Sequence, residues 1–477
     1  MGWRSRWECP LSSLSLTLLL STLHAVQGGN PLDFVGAYVE AELARQRIPA
    51  VSVGILRGDS VLLARGFGFS NVELHVAASD STVYQSGSLG KQFTAAGVVM
   101  LAQQGRLRLD DRITRWLPEG AGVWDSITVR HLLTHTSGIT EYTDSTFDYR
   151  KDYTEAQLVR FAATRPLDFP PGTRWSYSNT GYMLLGVLVH RVTGRFYGNV
   201  LHDLLFAPVG MRRTRIISEA DIVPNRAAGY QLVKGRLQNQ EWVAPSLNTT
   251  ADGSLYFTVD DLLQWARSLD QGKVPGAAVL DLAWSPVRLN DGGLYPYGFG
   301  WDLTDQRRHA RIGHTGSWQG FKTALYRYPD FNLTVIVLAN LAQAQPGAMA
   351  EAIAGILEPE LRPPHMLRAP LAGPKAPRPT GELLKAMSSG NDTAQVTPAL
   401  HRFLSATARR DLAGTLGKIS SWIELGCDDV RSRAIQWLSS PIARVCYARG
   451  TDKELKAVVS IFYAPNGHAA HFDWEAY

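Results

Sequence analysis

Tyr84-Gln85-Ser86-Gly87-Ser88-Leu89-Gly90-Lys91 leads into a helical pattern in which Phe93, Ala96 and Met100 share one apolar face. Ser88 and Lys91 are three residues apart, so at the start of that helix they lie one turn apart on one side, with the lysine ammonium in reach of the serine hydroxyl. A serine hydroxyl is a poor nucleophile until a neighbouring base takes its proton. A lysine serves as that base once burial or nearby cations lower its pKa. The start of a helix also aims backbone N–H groups toward developing negative charge. Ser88-x-x-Lys91 occurs once in the 477 residues. Taken alone, four such residues equally describe an N-cap serine followed by a solvated lysine.

Outward from this stretch the chain changes character twice. Upstream, residues 31–47 place Leu32, Val35, Val39 and Leu43 at helical spacing. The apolar runs 50–56 and 60–67, separated by Arg57-Gly58-Asp59, predict a hairpin whose turn uses Gly and Asp. Downstream, residues 89–205 are mostly helical, punctuated by Gly105, Gly138, Pro170-Pro171-Gly172 and Gly194. Strand-like patterns return at 320–328 and 333–340, and a helix is expected at 347–357. Strands near both ends with helices between them predict an α+β fold: one antiparallel sheet built from both chain ends, flanked by helices and interrupted by a helical insertion.

Seven prolines between 359 and 379 then mark a stiff, extended linker. Beyond it, 383–412 looks helical, and runs near Ile419 and at 443–447, 457–463 and 468–472 look like strands. The expected organisation is a leader at 1–28, a catalytic domain at 29–358, a linker at 359–381 and a small α+β accessory domain at 382–477. Arg4 and Arg6, an uncharged run at 11–23 and the small residues around Ala25 have the layout of a cleavable secretory signal, so a secreted or periplasmic location is expected. Membrane attachment is expected only if that segment stays uncleaved.

Hydrophobic residues at 45% and charged residues at 19% are ordinary for a globular protein and exclude a disordered or fibrous chain. The net charge of +5 comes without a long Lys or Arg run, so no nucleic-acid partner is expected. Cys9 precedes the apolar run, which leaves Cys427 and Cys446, whose spacing matches no zinc pattern. No cofactor or metal is expected, and a disulfide and two buried thiols are equally open.

Two further motifs carry chemistry. Tyr177-Ser178-Asn179 follows Phe169-Pro170-Pro171-Gly172 and opens another helical run; a tyrosine near cationic groups can move a proton, and an asparagine beside it can hold both Lys91 and a substrate carbonyl. Tyr197-Gly198-Asn199 has the same spacing but lies within a helical pattern and is read as helix surface and core. His314-Thr315-Gly316 is the single His-x-Gly, placed just before the strand pattern at 320–328. A strand edge there can supply an oxyanion donor from the N–H of Ser317, with His314 or Thr315 contacting substrate or leaving group.

In this order and at these separations, the three motifs resemble the serine β-lactamase and penicillin-binding-protein superfamily. The likeness is closest to the branch of class C β-lactamases, D-alanyl-D-alanine carboxypeptidases and esterases. It extends over residues 31–358 and includes Ile127-Thr128-Val129-Arg130-His131-Leu132-Leu133-Thr134-His135-Thr136-Ser137-Gly138, Trp175-Ser176-Tyr177-Ser178-Asn179-Thr180-Gly181-Tyr182, Ala228-Gly229-Tyr230 and Tyr297-Gly298-Phe299-Gly300-Trp301. The resemblance implies that Ser88 is the nucleophile, Lys91 its base or electrostatic partner, and Tyr177 the general base and acid. It implies that Asn179 positions Lys91 and substrate, that the N–H groups of Ser88 and Ser317 form the oxyanion hole with Thr315 and Gly316 beside it, and that Tyr230 and Trp318 line the pocket.

His314 stands where class C β-lactamases carry a lysine that pairs with the acid of the antibiotic. The expectation is therefore an esterase or D-amino-acid peptidase with weak β-lactamase activity at most. The accessory domain faintly resembles cystatin-like and nuclear-transport-factor-like folds. Gly-x-Ser-x-Gly and His-Glu-x-x-His are absent, which disfavours an α/β-hydrolase and a zinc hydrolase. The rival reading is a non-catalytic homologue that binds penicillin or peptidoglycan.

Overall fold

The computed structural model describes residues 30–142, 147–367, 370–371, 373–430, 441–452 and 456–476. The leader expected at 1–28 lies outside them. Helix α1 (Pro31–Gln46) starts where the Asn30 side chain accepts the N–H of Leu32 and stops where Arg47 turns left-handed. Strands β1 (Ala50–Arg57) and β2 (Ser60–Asn71) form the expected hairpin. A short β3 (Val76–Ala77) follows, and β4 (Asp302–Gln306), β5 (His309–Trp318), β6 (Phe321–Tyr328) and β7 (Leu333–Ala339) come from far downstream. They make one antiparallel sheet in the order β4-β5-β6-β7-β1-β2-β3. Its centre is the pairing of β1 with β7, from Val51 opposite Ala339 to Arg57 opposite Leu333.

Both central strands are buried on both faces, which is why they read as largely apolar runs, broken by Ser52 and Thr334, rather than alternating ones. On one face Val53, Ile55, Val335 and Val337 pack with Val35 and Val39 of α1 and with Met349 and Ile353 of α5 (Pro346–Leu357). On the other face lies α4 (Val259–Asp270), which reaches the sheet because position 54 is glycine: a Cβ there would sit 2.6 Å from Val259 Cγ1. The helical insertion, including α2 (Lys91–Gln103) and α3 (Asn179–Thr193), builds a second core around Phe93, Val98, Tyr182 and Leu185. The Tyr197-Gly198-Asn199 triplet is helical here, with Tyr197 buried and bonded to the Thr250 carbonyl.

Past the proline-rich stretch, α6 (Thr380–Ser389) and α7 (Ala406–Thr415) cover a four-stranded antiparallel sheet. Its strands are β8 (Ser421–Asp429), β9 (Arg444–Thr451), β10 (Lys456–Tyr463) and β11 (Ala469–Ala476), paired in sequence order. The helical pattern of 383–412 is broken rather than continuous: Gly390 takes a left-handed C-cap and Pro398 starts a new turn. Cys427 and Cys446 face each other across β8 and β9 and form a disulfide. Arg307, in the turn between β4 and β5, makes a two-nitrogen ion pair with Asp428 at 2.7 and 2.9 Å; Tyr447 donates to the same carboxylate at 3.0 Å. Among the described residues, no helix is long and apolar enough to cross a membrane.

Candidate active site

Ser88 sits in a single 3-10 turn, Gly87–Gly90, that runs directly into α2. Gly87 has φ +53°, and a Cβ there would lie 2.3 Å from the backbone nitrogen of Ser317; a Cβ on Gly316 would lie 2.0 Å from the Ser86 carbonyl oxygen. The two glycines thus allow the serine turn and strand β5 to press backbone against backbone. This contact sets the Ser317 nitrogen against the turn that carries Ser88. His314, expected just before a strand, is instead inside β5, a ten-residue strand whose glycines and polar residues hid it.

Lys91 is fully buried at the first turn of α2. Its Nζ donates to Ser88 Oγ at 3.1 Å, to Asn179 Oδ1 at 2.8 Å and to the Asp252 carbonyl at 2.6 Å. It also lies over the rings of Tyr177, at 4.9 Å, and Tyr182, at 5.5 Å. Burial pulls the lysine pKa down to about 8, against the opposing pull of the Asp252 and Glu141 carboxylates. A lysine in that range is an ammonium that can shed its proton near neutral pH.

Tyr177-Ser178-Asn179 is held from three sides. The Ser178 side chain caps α3 by accepting the N–H of Gly181 at 3.0 Å. The Ser178 N–H donates to His135 Nδ1 at 3.0 Å, and the Asn179 N–H donates to Glu141 Oε2 at 2.7 Å. The buried His135 ring lies against Tyr177 with centroids 4.4 Å apart. Burial pushes the Tyr177 phenol well above its ordinary pKa, with Ser88 pulling the other way. Its hydroxyl is buried and faces the Ser88 side chain.

His314 is tied differently from expectation. Nδ1 lies against the Thr315 carbonyl, which can only accept, so the proton is on Nδ1; Nε2 then accepts from the Tyr297 hydroxyl at 3.0 Å. Burial lowers its pKa, so the ring is neutral with both nitrogens engaged by the protein. It lines the cavity but has no free nitrogen for substrate, which corrects the expected contact; Thr315, exposed on the same strand, is free to make one.

A cavity of about 490 Å³ opens on Ser88, Tyr177, His314, Thr315, Gly316 and Ser317. Tyr230 and Trp318 do not line it. The Tyr230 ring is buried in the core behind the sheet and its hydroxyl accepts the N–H of Val72, whereas Trp318 donates to Asn248 at 2.8 Å. The cavity also includes Asp302, Lys322, Thr323 and the segment Ala344 to Gly347, none of which sequence reasoning had picked out. Asp302 directly follows the quoted Tyr297-to-Trp301 stretch and Lys322 follows Phe321 at the start of β6, but no local pattern sets either apart from a solvated charge. His135 was quoted only as part of a longer stretch, and its place under Tyr177 is a tertiary fact.

Among known proteins, a model of the Beta-lactamase family matches residues 35–358. Penicillin-binding protein 4* of Bacillus subtilis is 31% identical over 300 residues, covering 59% of this chain and 66% of that protein, just under two thirds of its length. D-aminopeptidase of Gluconobacter oxydans is 28% identical over 434 residues, covering 87% of this chain and 80% of that protein. Two solved structures share the fold. The octameric penicillin-binding protein homologue from Pyrococcus abyssi has a TM-score of 0.61 at 21% identity and covers 94% of this chain and 96% of its own. A D-stereospecific amidohydrolase from Streptomyces sp. has a TM-score of 0.58 at 26% identity and covers 67% and 97%.

Proposed function

The chain belongs to the Beta-lactamase family and is a serine hydrolase, and from that premise we propose that it cleaves amide bonds of D-amino-acid peptides through an acyl-enzyme on Ser88. The observation that carries this reading is the buried Lys91 Nζ, 3.1 Å from Ser88 Oγ with its pKa near 8. The D-aminopeptidase that matches 87% of the chain and the D-stereospecific amidohydrolase with the same fold favour an amide of a D-amino acid over a simple ester. The neutral, internally bonded His314 leaves no charge at the head of the third motif, in keeping with a minor role for β-lactams.

In the reaction, neutral Lys91 takes the Ser88 proton and Oγ attacks the substrate carbonyl. The N–H groups of Ser88 and Ser317 hold the resulting oxyanion. The Tyr177 phenol, protonated at rest, gives its proton to the leaving amine and is re-protonated from Lys91, so the C–N bond breaks with the amine neutral. Water then attacks the ester, its proton passing back along the same groups, and Ser88 is released. Tyr177 is in this scheme a relay, because a phenol held well above its ordinary pKa is not the resting base.

We place the protein outside the cytosol. The charge, apolar run and small residues at 1–28 support that, as does the Cys427–Cys446 disulfide, a bond rare in reducing compartments. The mechanism is tested by intact-mass spectrometry after incubation with a fluorophosphonate, a fluorescent penicillin and p-nitrophenyl acetate, followed by peptide mapping. A covalent adduct on Ser88 that is lost in Ser88→Ala is expected; equal labelling of the variant would remove Ser88 from the role.

A further inference from the structure

The two backbone N–H groups that flank Tyr177 end on one residue some forty positions upstream. Ser176 donates to the His135 carbonyl at 2.9 Å, and Ser178 donates to His135 Nδ1 at 3.0 Å. The imidazole also lies against the Tyr177 phenol, with centroids 4.4 Å apart and planes 33° apart. Tyr297, Tyr182 and Trp175 close around the same ring at 4.8, 5.0 and 5.9 Å, and His135 is only 1% exposed, so the imidazole has no space to turn away.

The backbone of His135 is left-handed, with φ +57°. A non-glycine residue stays there only where its surroundings outweigh the local strain, and such residues gather at working sites. In this conformation its carbonyl and its imidazole both meet the segment 176–178. An imidazole accepts at Nδ1 only while the ring is neutral. Burial holds the His135 pKa well below its ordinary value, with Lys91 and His314 pushing the same way, so the acceptor is kept.

We propose that His135 is a positioning residue that fixes the Tyr177 hydroxyl at the leaving group, through a two-bond grip on the backbone and a ring platform beside the phenol. His135 does not line the reaction cavity, so its effect passes through Tyr177. A group displaced by about 1 Å can lose about a hundredfold in rate. Only leaving groups that need a proton feel that loss. The inference rests on the reading of Tyr177 as the proton relay.

The test measures kcat/KM for p-nitrophenyl, phenyl and ethyl acetate, whose leaving groups are increasingly basic. The proteins are the wild type, His135→Phe, His135→Asn, Tyr177→Phe and the double variant with phenylalanine at both positions. p-Nitrophenolate leaves without a proton, whereas ethoxide needs one. In His135→Phe, which keeps a ring but loses the acceptor, the ratio of ethyl to p-nitrophenyl acetate should fall about tenfold or more. His135→Asn, whose Oδ1 can stand in for Nδ1 and whose backbone tolerates the left-handed region, should recover most of that ratio. The double variant should match Tyr177→Phe alone, because the grip then has no hydroxyl left to position. These ratios are read within one sample, so partial misfolding of a variant does not change them. An unchanged ratio or an equal loss on all three esters in His135→Phe, no recovery in His135→Asn, or a double variant well below Tyr177→Phe would each overturn the role. A Tyr177→Phe enzyme with the wild-type ratio, or a wild type inactive on ethyl acetate, would instead overturn the relay on which it rests.

Discussion

Asp252→Asn should make the enzyme work at lower pH. The Asp252 carbonyl accepts from Lys91 Nζ at 2.6 Å, and its carboxylate, a few bonds further on, raises the lysine pKa against the effect of burial. At roughly 6 Å and an effective dielectric of about 20, two unit charges interact by about 3 kcal/mol, or about two pH units. The carboxylate is buried, with Oδ2 held by the Tyr142 hydroxyl, so the expected shift is at least about one unit. Removing the anion disfavours the ammonium, so the Lys91 pKa falls and the free amine is populated at lower pH. The ascending limb of kcat/KM against pH, which reports the free enzyme, should move from about 8 to about 7. The substitution keeps the backbone carbonyl, and the new amide oxygen can still accept from the Tyr142 hydroxyl, now 3.1 Å from Asp252 Oδ2. The profile is read by steady-state hydrolysis of p-nitrophenyl acetate across pH 5–10 in paired buffers. A limb that stays in place or moves upward would show that Lys91 is not the titrating base.

Two other substitutions probe separate parts of the molecule. Tyr177→Phe keeps the ring against His135 but removes the proton relay, and should lower kcat on amide substrates by about 10²–10⁴-fold with KM little changed; unchanged turnover would leave Lys91 as the sole proton carrier. Arg307→Met strands Asp428, whose side chain is only 11% exposed, and should destabilise the junction with the accessory sheet by about 3–5 kcal/mol, read as an earlier urea transition followed by tryptophan fluorescence. A coincident, unshifted transition would mean that the pair contributes nothing to that junction.

Much of the architecture was legible because it rests on burial. The runs that became β1 and β7 are mostly apolar on both faces since both faces are covered, and the spacing of Val35 and Val39 marked the face of α1 that packs on them. Ser88, Lys91, Tyr177 and Asn179 stood out as short motifs and converge around one ammonium group. Strand β5 was missed because Gly313 and Gly316, needed for close backbone approach, erase the apolar alternation by which strands are recognised. Tyr230 misled for a related reason: a buried aromatic next to a motif looks the same in sequence whether it faces a cavity or, as here, the core. Asp302 and Lys322 were invisible because they reach the cavity only through pairing between strands, a relation that no local pattern carries.

The pairing of Val51 with Ala339 also sets an order of events during synthesis. At about 5–20 residues per second, β1 waits many seconds after leaving the ribosome before its central partner exists. Until then one edge of the β1–β2 hairpin is an open row of backbone donors and acceptors on an apolar strand, the kind of edge that other chains can join. The serine turn is made early, its oxyanion partner Ser317 late and the strand that joins the two halves of the sheet later still, so a chain interrupted before about residue 340 holds the nucleophile without the finished sheet that completes its site. Activity can therefore appear only once nearly the whole of the larger domain has been delivered, and what guards the nascent chain in the meantime must shield a strand edge.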